Sequence, residues 1–295
     1  MTSRIVPGFF LFRNRHCESR YDGVGPGEKR STTRGHDAAC YSHELFPLQR
    51  WARMRIPLKP RILFDLYAFN LAQRERWVAR QAMQIASGSR VLDIGAGSCP
   101  YRRFFTACDY KSHDFSGLSP DQLLGEKGYG AIDYVSDILS IPVPDASFDA
   151  VLCTEVLEHV PEPIGAVNEF ARILKPHGRL ILTAPLGSGL HQEPYHYYGG
   201  YTSFWYEKFL GEAGFHNVVV EPNGGFFKHY GQESIRYAAM LAPWRGFKQM
   251  LLTPLWLLSL PWLLIVAPLA GLLLDGLDHQ KAFTVGYHVT ALRAP

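Results

Sequence analysis

The sequence predicts an α/β fold: a mostly parallel sheet with helices on both faces. Two observations carry that expectation. Short apolar runs alternate with segments of helical period, the pattern of parallel strands joined by crossover helices. One such run, Val91-Leu92-Asp93-Ile94, passes directly into Gly95-Ala96-Gly97-Ser98. A glycine turn at a strand end lets the backbone approach a ligand, because no Cβ stands in the way. With 295 residues the chain has room for one such domain with additions.

The elements follow in order. After the glycine turn, Tyr101-Arg102-Arg103-Phe104-Phe105 is expected to open a helix whose first amides face the same ligand. The second strand should end at Asp114, an acid about 20 residues beyond the turn and so placed for ribose hydroxyls. Asp109 competes for that role but leaves a short helix. Asp137-Ile138 then precede a connection into a fourth strand at Ala150-Val151-Leu152-Cys153-Thr154. Ile164, Val167, Phe170, Ala171 and Leu174 repeat at helical spacing, and Lys175-Pro176-His177-Gly178 supply stop signals. Leu180-Ile181-Leu182-Thr183-Ala184 read as a buried strand closed by Pro185. Thr202-Ser203 cap a helix through Ala213, ended by Gly214, before a strand at Val218-Val219-Val220. Val285, Tyr287, Val289 and Ala291 alternate with Thr284, Gly286, His288 and Thr290, a half-buried last strand.

Asp93-x-Gly95-x-Gly97 resembles motif I of the class I S-adenosylmethionine (SAM) dependent methyltransferases. The dinucleotide fingerprint needs a third glycine where Pro100 stands. Cys99 occupies a position where many members of the methyltransferase class carry one more glycine. The run Thr154-Glu155-Val156-Leu157-Glu158-His159-Val160-Pro161 looks like the fourth-strand motif of the ubiquinone-type group, methyltransferase type 11. The resemblance covers residues 75–220. It implies a Rossmann-like seven-stranded sheet with an antiparallel last strand, and SAM as cofactor. It also implies cofactor-binding roles for Asp93, Gly95, Ala96, Gly97, Asp114, Asp137, Ile138 and Glu155, with Asp137 beside the adenine. A side chain at Gly95 is expected to stand in the ligand's path.

Methyl transfer from a sulfonium is an in-line displacement, for which positioning supplies much of the rate. A hydroxyl acceptor also needs a group that takes its proton. The candidates are His159, after strand four, and His196 in His191-Gln192-Glu193-Pro194-Tyr195-His196-Tyr197-Tyr198, after strand five. Similar bacterial enzymes often show Asp at the position aligned with His196. The Asp/Asn-Pro-Pro-aromatic motif of adenine amino methylation and the Pro-Cys nucleophile of pyrimidine C5 methylation are both missing from the sequence. The expected acceptor is therefore small, lipid-linked or a membrane-assembled glycan, methylated on oxygen, with a quinone as one form. An RNA methyltransferase and a non-catalytic SAM-binding membrane adaptor are the alternatives.

The chain divides into an N-terminal arm at 1–45, expected to be disordered, a methyltransferase domain at 46–235 and 280–295, and a hydrophobic insert at 236–279. Arg50, Arg53, Arg55, Lys59 and Arg61 form either a solvated flank or a patch for anionic lipid. The run from Met250 to Leu274 is uncharged and long enough to cross a bilayer. Pro254, Pro261 and Pro268 argue against a single straight helix. Because strands of one sheet bracket the run, the chain must return on the side it entered, as a re-entrant hairpin or interfacial pair at the inner face of the cytoplasmic membrane. A formal charge of +3 gives no global case for nucleic acid. Five irregularly spaced cysteines fit a reducing compartment. His36, Cys40 and His43 lack a standard zinc spacing, so no metal is assigned, and no oligomeric state is read.

Overall fold

The computed structural model describes residues 65–123 and 128–295. The N-terminal arm, the basic flank and the His36, Cys40 and His43 group lie outside the described residues.

Strand β1 (Arg90–Ile94) pairs in parallel with β2 (Asp109–Asp114), which pairs with the two-residue edge strand β3 (Tyr134–Val135). On its other side β1 pairs in parallel with β4 (Phe148–Thr154), and β4 with β5 (Leu174–Pro185). Edge strand β6 (Phe215–Pro222) and β7 (Gly286–Arg293) complete the order β3-β2-β1-β4-β5-β7-β6. The last strand is antiparallel, as the resemblance implies, and slots between β5 and β6.

Successive strand residues point to opposite faces, and both faces are apolar because helices cover both. Leu92, Ile94, Val151 and Cys153 pack toward helices α2 (Pro163–Ile173) and α3 (Ser203–Glu212) through Phe170, Tyr206 and Leu210. Val91, Ala150, Leu152 and Ile181 face Trp77 and Val78 of α1 (Phe69–Ala82). Full burial of a side chain such as Phe170 or Trp77 contributes about 2–3 kcal/mol. Thr202 caps α3 by accepting from the Trp205 amide, as its position predicts.

Two local expectations fail. The helix after the glycine turn is only a 3₁₀ turn at Arg102–Phe104. Strand β2 already starts at Asp109, and Tyr101 and Phe105 bury themselves against the sheet within that short span. Strand β5 begins at Leu174, directly after α2, but its pairing jumps from Leu174 to Arg179. Lys175-Pro176-His177-Gly178 thus bulge from the strand after the helix has already ended at Ile173, with His177 at φ +62°.

Between β6 and β7 the chain forms α4 (Phe226–Met240), the short α5 (Phe247–Leu251) and a long helix, α6 (Thr253–Leu277). The three prolines do not break α6. Pro254 sits in the first turn, and after Pro261 the helix widens to a π-turn at Trp262–Val266 before Pro268 opens the next segment. Widening accommodates the lost amide donors. Direction matters most here. Strand β6 is antiparallel to β7, which is antiparallel to β5. The C-terminal end of β6 therefore shares an edge with the C-terminal ends of β1, β4 and β5, and the helical insert springs from that edge.

Candidate active site

Open α/β sheets bind ligands beyond the carboxyl ends of their strands, and the predicted site residues gather there. The turn after β1 is tight: the Ala96 amide donates to the His113 carbonyl at 3.0 Å and the Cys99 amide to the Ala96 carbonyl at 2.7 Å. Gly95 and Gly97 have φ of +67° and +52°, which glycine adopts without strain. A Cβ at Gly95 would collide with the Val156 side chain. The glycine is thus required by the chain that follows β4 as well as by its own backbone, a different reason from a blocked ligand path.

Asp114 closes β2, as expected, and is buried. Its carboxylate accepts from the Gly97 amide at 2.9 Å and the Ser116 amide at 2.9 Å. Two carboxylate oxygens offer about four acceptor positions, so ribose hydroxyls can share this group with the turn it holds. Asp137 lies two residues beyond β3, exposed, with its carboxylate accepting from the Leu139 amide at 2.9 Å. Ile138 packs half-buried against the core and offers an apolar wall.

Two predicted cofactor contacts point elsewhere. Asp93 is 1 % exposed and accepts from the Tyr110 hydroxyl at 2.5 Å. Burial pushes its carboxyl up to about 7. It acts from behind the turn, bracing β1 against β2. Glu155 holds Arg74 of α1 at 2.9 Å and accepts from the Thr183 hydroxyl at 2.8 Å. Its charge neutralises a buried guanidinium, tying α1 to the ends of β4 and β5.

The candidate bases come together, with a partner that the sequence pattern did not single out. The His159 ring centroid is 4.8 Å from that of His191 and 5.6 Å from that of His196, and the last two are 4.7 Å apart. His159 Nδ1 lies 2.8 Å from the Tyr195 carbonyl, and His191 Nδ1 lies 2.8 Å from the Gly189 carbonyl. A carbonyl only accepts, so each Nδ1 carries the proton and donates it. His196 Nε2 lies 3.0 Å from Ser188 Oγ, whose own hydroxyl donates to the Gly199 carbonyl. That nitrogen must donate too. In its neutral form each imidazole keeps one acceptor nitrogen: Nε2 of His159, Nε2 of His191 and Nδ1 of His196. Burial, then the His191 ring, hold His159 down to about 4, and the same causes lower His196. Both shifts favour the neutral ring at His159 and at His196.

Glu158 stands beneath the group, its Oε1 3.8 Å from His159 Nε2 and its buried Oε2 without a hydrogen-bond partner. Burial raises its carboxyl well above the ordinary range. Although no metal was assigned from sequence, Glu158, His159 and His191 each bring one ligand atom within 4.8 Å of the others, a donor set that could hold a cation. The loop after β5 is fastened over this edge. Tyr197 and Tyr198 amides donate to the Glu158 carbonyl, and the Tyr201 hydroxyl donates to that of Leu157. Gln122 and Gln192 reach across to the opposite loop at 2.9 and 3.0 Å, beside the Phe115–Tyr195 ring contact.

A seven-stranded Rossmann-like sheet, with a glycine turn and a buried strand-end acid at its carboxyl edge, is a frame on which nucleoside cofactors bind. Residues 92–182 match the family described as "Methyltransferase domain". This domain is a class I SAM-dependent methyltransferase domain, and SAM is the cofactor of the class. The chain is 35% identical over 109 residues to a 27-O-demethylrifamycin SV methyltransferase of Amycolatopsis mediterranei, covering 34% of this chain and 40% of that protein. It is 31% identical over 144 residues to a demethylmenaquinone methyltransferase of Paenarthrobacter aurescens, covering 45% and 55%. A ubiquinone biosynthesis O-methyltransferase of Xanthomonas oryzae is 32% identical over 141 residues, again covering 45% and 55%. The chain thus spans about half the length of the curated relatives that it matches.

Arg74, Thr183, Tyr110 and His191 are the residues sequence reasoning missed. Only His191 left a signal, since it belongs to the histidine-rich run whose last histidine was chosen.

Proposed function

We propose that the protein is a SAM-dependent O-methyltransferase acting on a small or lipid-linked acceptor, a quinone or membrane-assembled glycan being suitable forms, at the cytoplasmic face of the membrane. The histidine group carries this reading. Three imidazoles, each with one nitrogen left over for a hydrogen-bond donor in its neutral form, face one another at the carboxyl edge. Such a surface receives hydrogen-bond donors, so it suits a hydroxyl and disfavours a carboxylate or phosphate.

The cofactor fits the residues present. Gly95, Ala96 and Gly97 present backbone at close approach, Asp114 suits the ribose, and Asp137 and Ile138 lie where the adenine would rest. When bound, SAM supplies an electrophilic methyl group on sulfur. His159 Nε2 would take the acceptor's hydroxyl proton as that oxygen receives the methyl group that SAM would supply. A ring held down to about 4 is a weak base in the ground state, so proton transfer accompanies bond formation and does not precede it. His196 is the second position from which the proton can be taken. The loop fastened by Gln122 and Gln192 limits water at the reacting atoms.

The membrane-face reading is supported by the apolar helix α6 and by exposed Arg245 and Lys248 before it, which suit the cytoplasmic side. Incubating the purified chain with labelled SAM and, separately, lipid extract, soluble extract and RNA tests the proposal. Label is expected in an alkali-stable ether within the lipid or small-molecule fraction. Label in RNA alone would reverse the reading, and SAM binding without any transfer would favour an adaptor.

A further inference from the structure

We propose that helices α4 and α6 form a one-leaflet docking element that holds the carboxyl edge of the sheet, and hence the methyl-transfer site, against a lipid surface. The proposal rests on the membrane-face reading above and gives it an orientation. Helix α6 runs 25 residues, and its most apolar 18-residue stretch has a mean hydropathy of 2.3, yet only 22% of that stretch is buried. Its exposed leucines occupy consecutive positions, Leu257 with Leu258 and Leu272 with Leu273 and Leu274. Neighbours in a helix sit about 100° apart, so three exposed in a row span about 200°, more than half the circumference. A partner helix covers one stripe. A surround that is apolar on every open side is hydrocarbon.

Helix α4 decides depth. It packs on α6 at close range, because a Cβ at Gly231 would lie 3.1 Å from Pro268 and one at Gly271 2.7 Å from the Phe227 carbonyl. The Ser234 hydroxyl donates to the Leu263 carbonyl at 2.8 Å, and Trp256 Nε1 to that of Ala238 at 2.8 Å. The pair therefore moves as one body. Yet α4 carries Lys228 and the Glu233–Arg236 ion pair, and its 15 residues reach only about 22 Å, short of a hydrocarbon core of about 30 Å. The pair lies in the interface, α6 inward, with Trp244 and Phe247 on the exposed connection between the two helices. Arg245 and Lys248, exposed on that connection, meet anionic headgroups.

Orientation follows from topology. Strands β6 and β7 deliver this element at the edge where β1, β4 and β5 end, so a docked hairpin brings the histidine group toward the bilayer. An acceptor with an apolar tail can then reach the site without leaving the membrane.

Flotation of the full chain with phosphatidylcholine–phosphatidylglycerol vesicles, without SAM, tests docking. The wild-type chain is expected to float, and Leu258→Asp with Leu273→Asp to lower vesicle partition by at least about tenfold per charge. Both substituted residues are exposed, so melting temperature and SAM binding should hold. Hydrogen exchange on vesicles should slow at 186–200 and 243–252 and stay unchanged at 86–89 and 144–147, at the opposite edge. A wild-type chain that stays with the soluble fraction overturns the proposal, as do variants that float equally or protection shared by both edges. A dimer in solution that the variants dissolve, with no flotation, assigns the surface to a second copy. SAM binding lost with flotation intact would count against the enzyme reading only.

Discussion

Gly95→Ala should damage the protein by two separable routes, and the structure fixes the share of each. An L-residue in the left-handed region costs roughly 1–2 kcal/mol, which applies because φ at Gly95 is +67°. A methyl group colliding with the Val156 side chain adds the penalty of overpacking, about 1–3 kcal/mol. The single variant is therefore expected to lose about 2–5 kcal/mol in urea unfolding. Val156→Ala removes the two colliding methyl groups, keeps a tight Cβ contact at 3.2 Å and leaves the strain. In the double variant about 1–3 kcal/mol of the Gly95 loss should disappear, with SAM affinity recovering alongside it by calorimetry. Additive losses would show that Val156 is not the obstacle. Unchanged stability with abolished SAM binding would restore the simpler view that a side chain at 95 stands in the ligand's path.

His159→Ala should lower turnover by roughly a hundredfold or more with SAM affinity retained; His196→Ala tests the alternative base, and normal turnover in both would leave positioning alone as the catalyst. Arg74→Ala should cost about 3 kcal/mol or more in urea unfolding, since it strands Glu155 and empties a buried site; a loss within experimental error would refute the tie between α1 and the sheet. His288, stacked on Trp77 with ring centroids 4.8 Å apart, is held down to about 4 by burial and then by Arg74. The folded ring stays neutral while the unfolded ring gains a proton below about 6.5, so stability should fall as pH drops from about 6.5 toward 4 and level off below. That fall is worth up to about 3 kcal/mol, and His288→Phe should reduce it by that amount in unfolding at pH 7 and pH 4.5; identical slopes would exclude His288 as the source. Gly271→Leu should separate α4 from α6, seen as faster proteolysis between Phe226 and Leu277 with the SAM site intact, whereas unchanged cleavage would deny the close packing.

The strands were legible because a parallel sheet buries both faces, which forces apolar runs into the sequence. Asp114 was legible for a similar reason: the end of an apolar run and its distance from the glycine turn both mark its place along the chain. Asp93 and Glu155 were not. Each is satisfied by a residue that only folding brings near, Tyr110 from β2 and Arg74 from α1, and no local pattern announces such a pair. The helix expected after the glycine turn was lost to chain length, since aromatic burial at Tyr101 and Phe105 used the few residues before β2. In α6 the prolines read as breaks because a local rule counts the missing amide and not the π-turn that absorbs it.

The closure of the helical insert shows most clearly what local rules omit. Helix α4 begins at Gly225, which supplies no side-chain cap, so the exposed amides of its first turn need acceptors from elsewhere. Asp275, in the last turn of the apolar helix, and Asp278, just beyond it, provide them. The Gly225 amide donates to Asp275 at 2.8 Å, the Phe226 amide to Asp278 at 2.7 Å, and Lys228 Nζ lies 3.4 Å from the buried Asp275. A carboxylate at a helix N-terminus also meets the positive end of the helix dipole. The two ends of the insert are thus clamped to each other where β6 leaves the sheet and the chain turns back toward β7. An insert closed in this way cannot deliver its second end to the opposite side of a bilayer. Its apolar surface is available to lipid only from the side on which the sheet, its glycine turn and its histidines already stand.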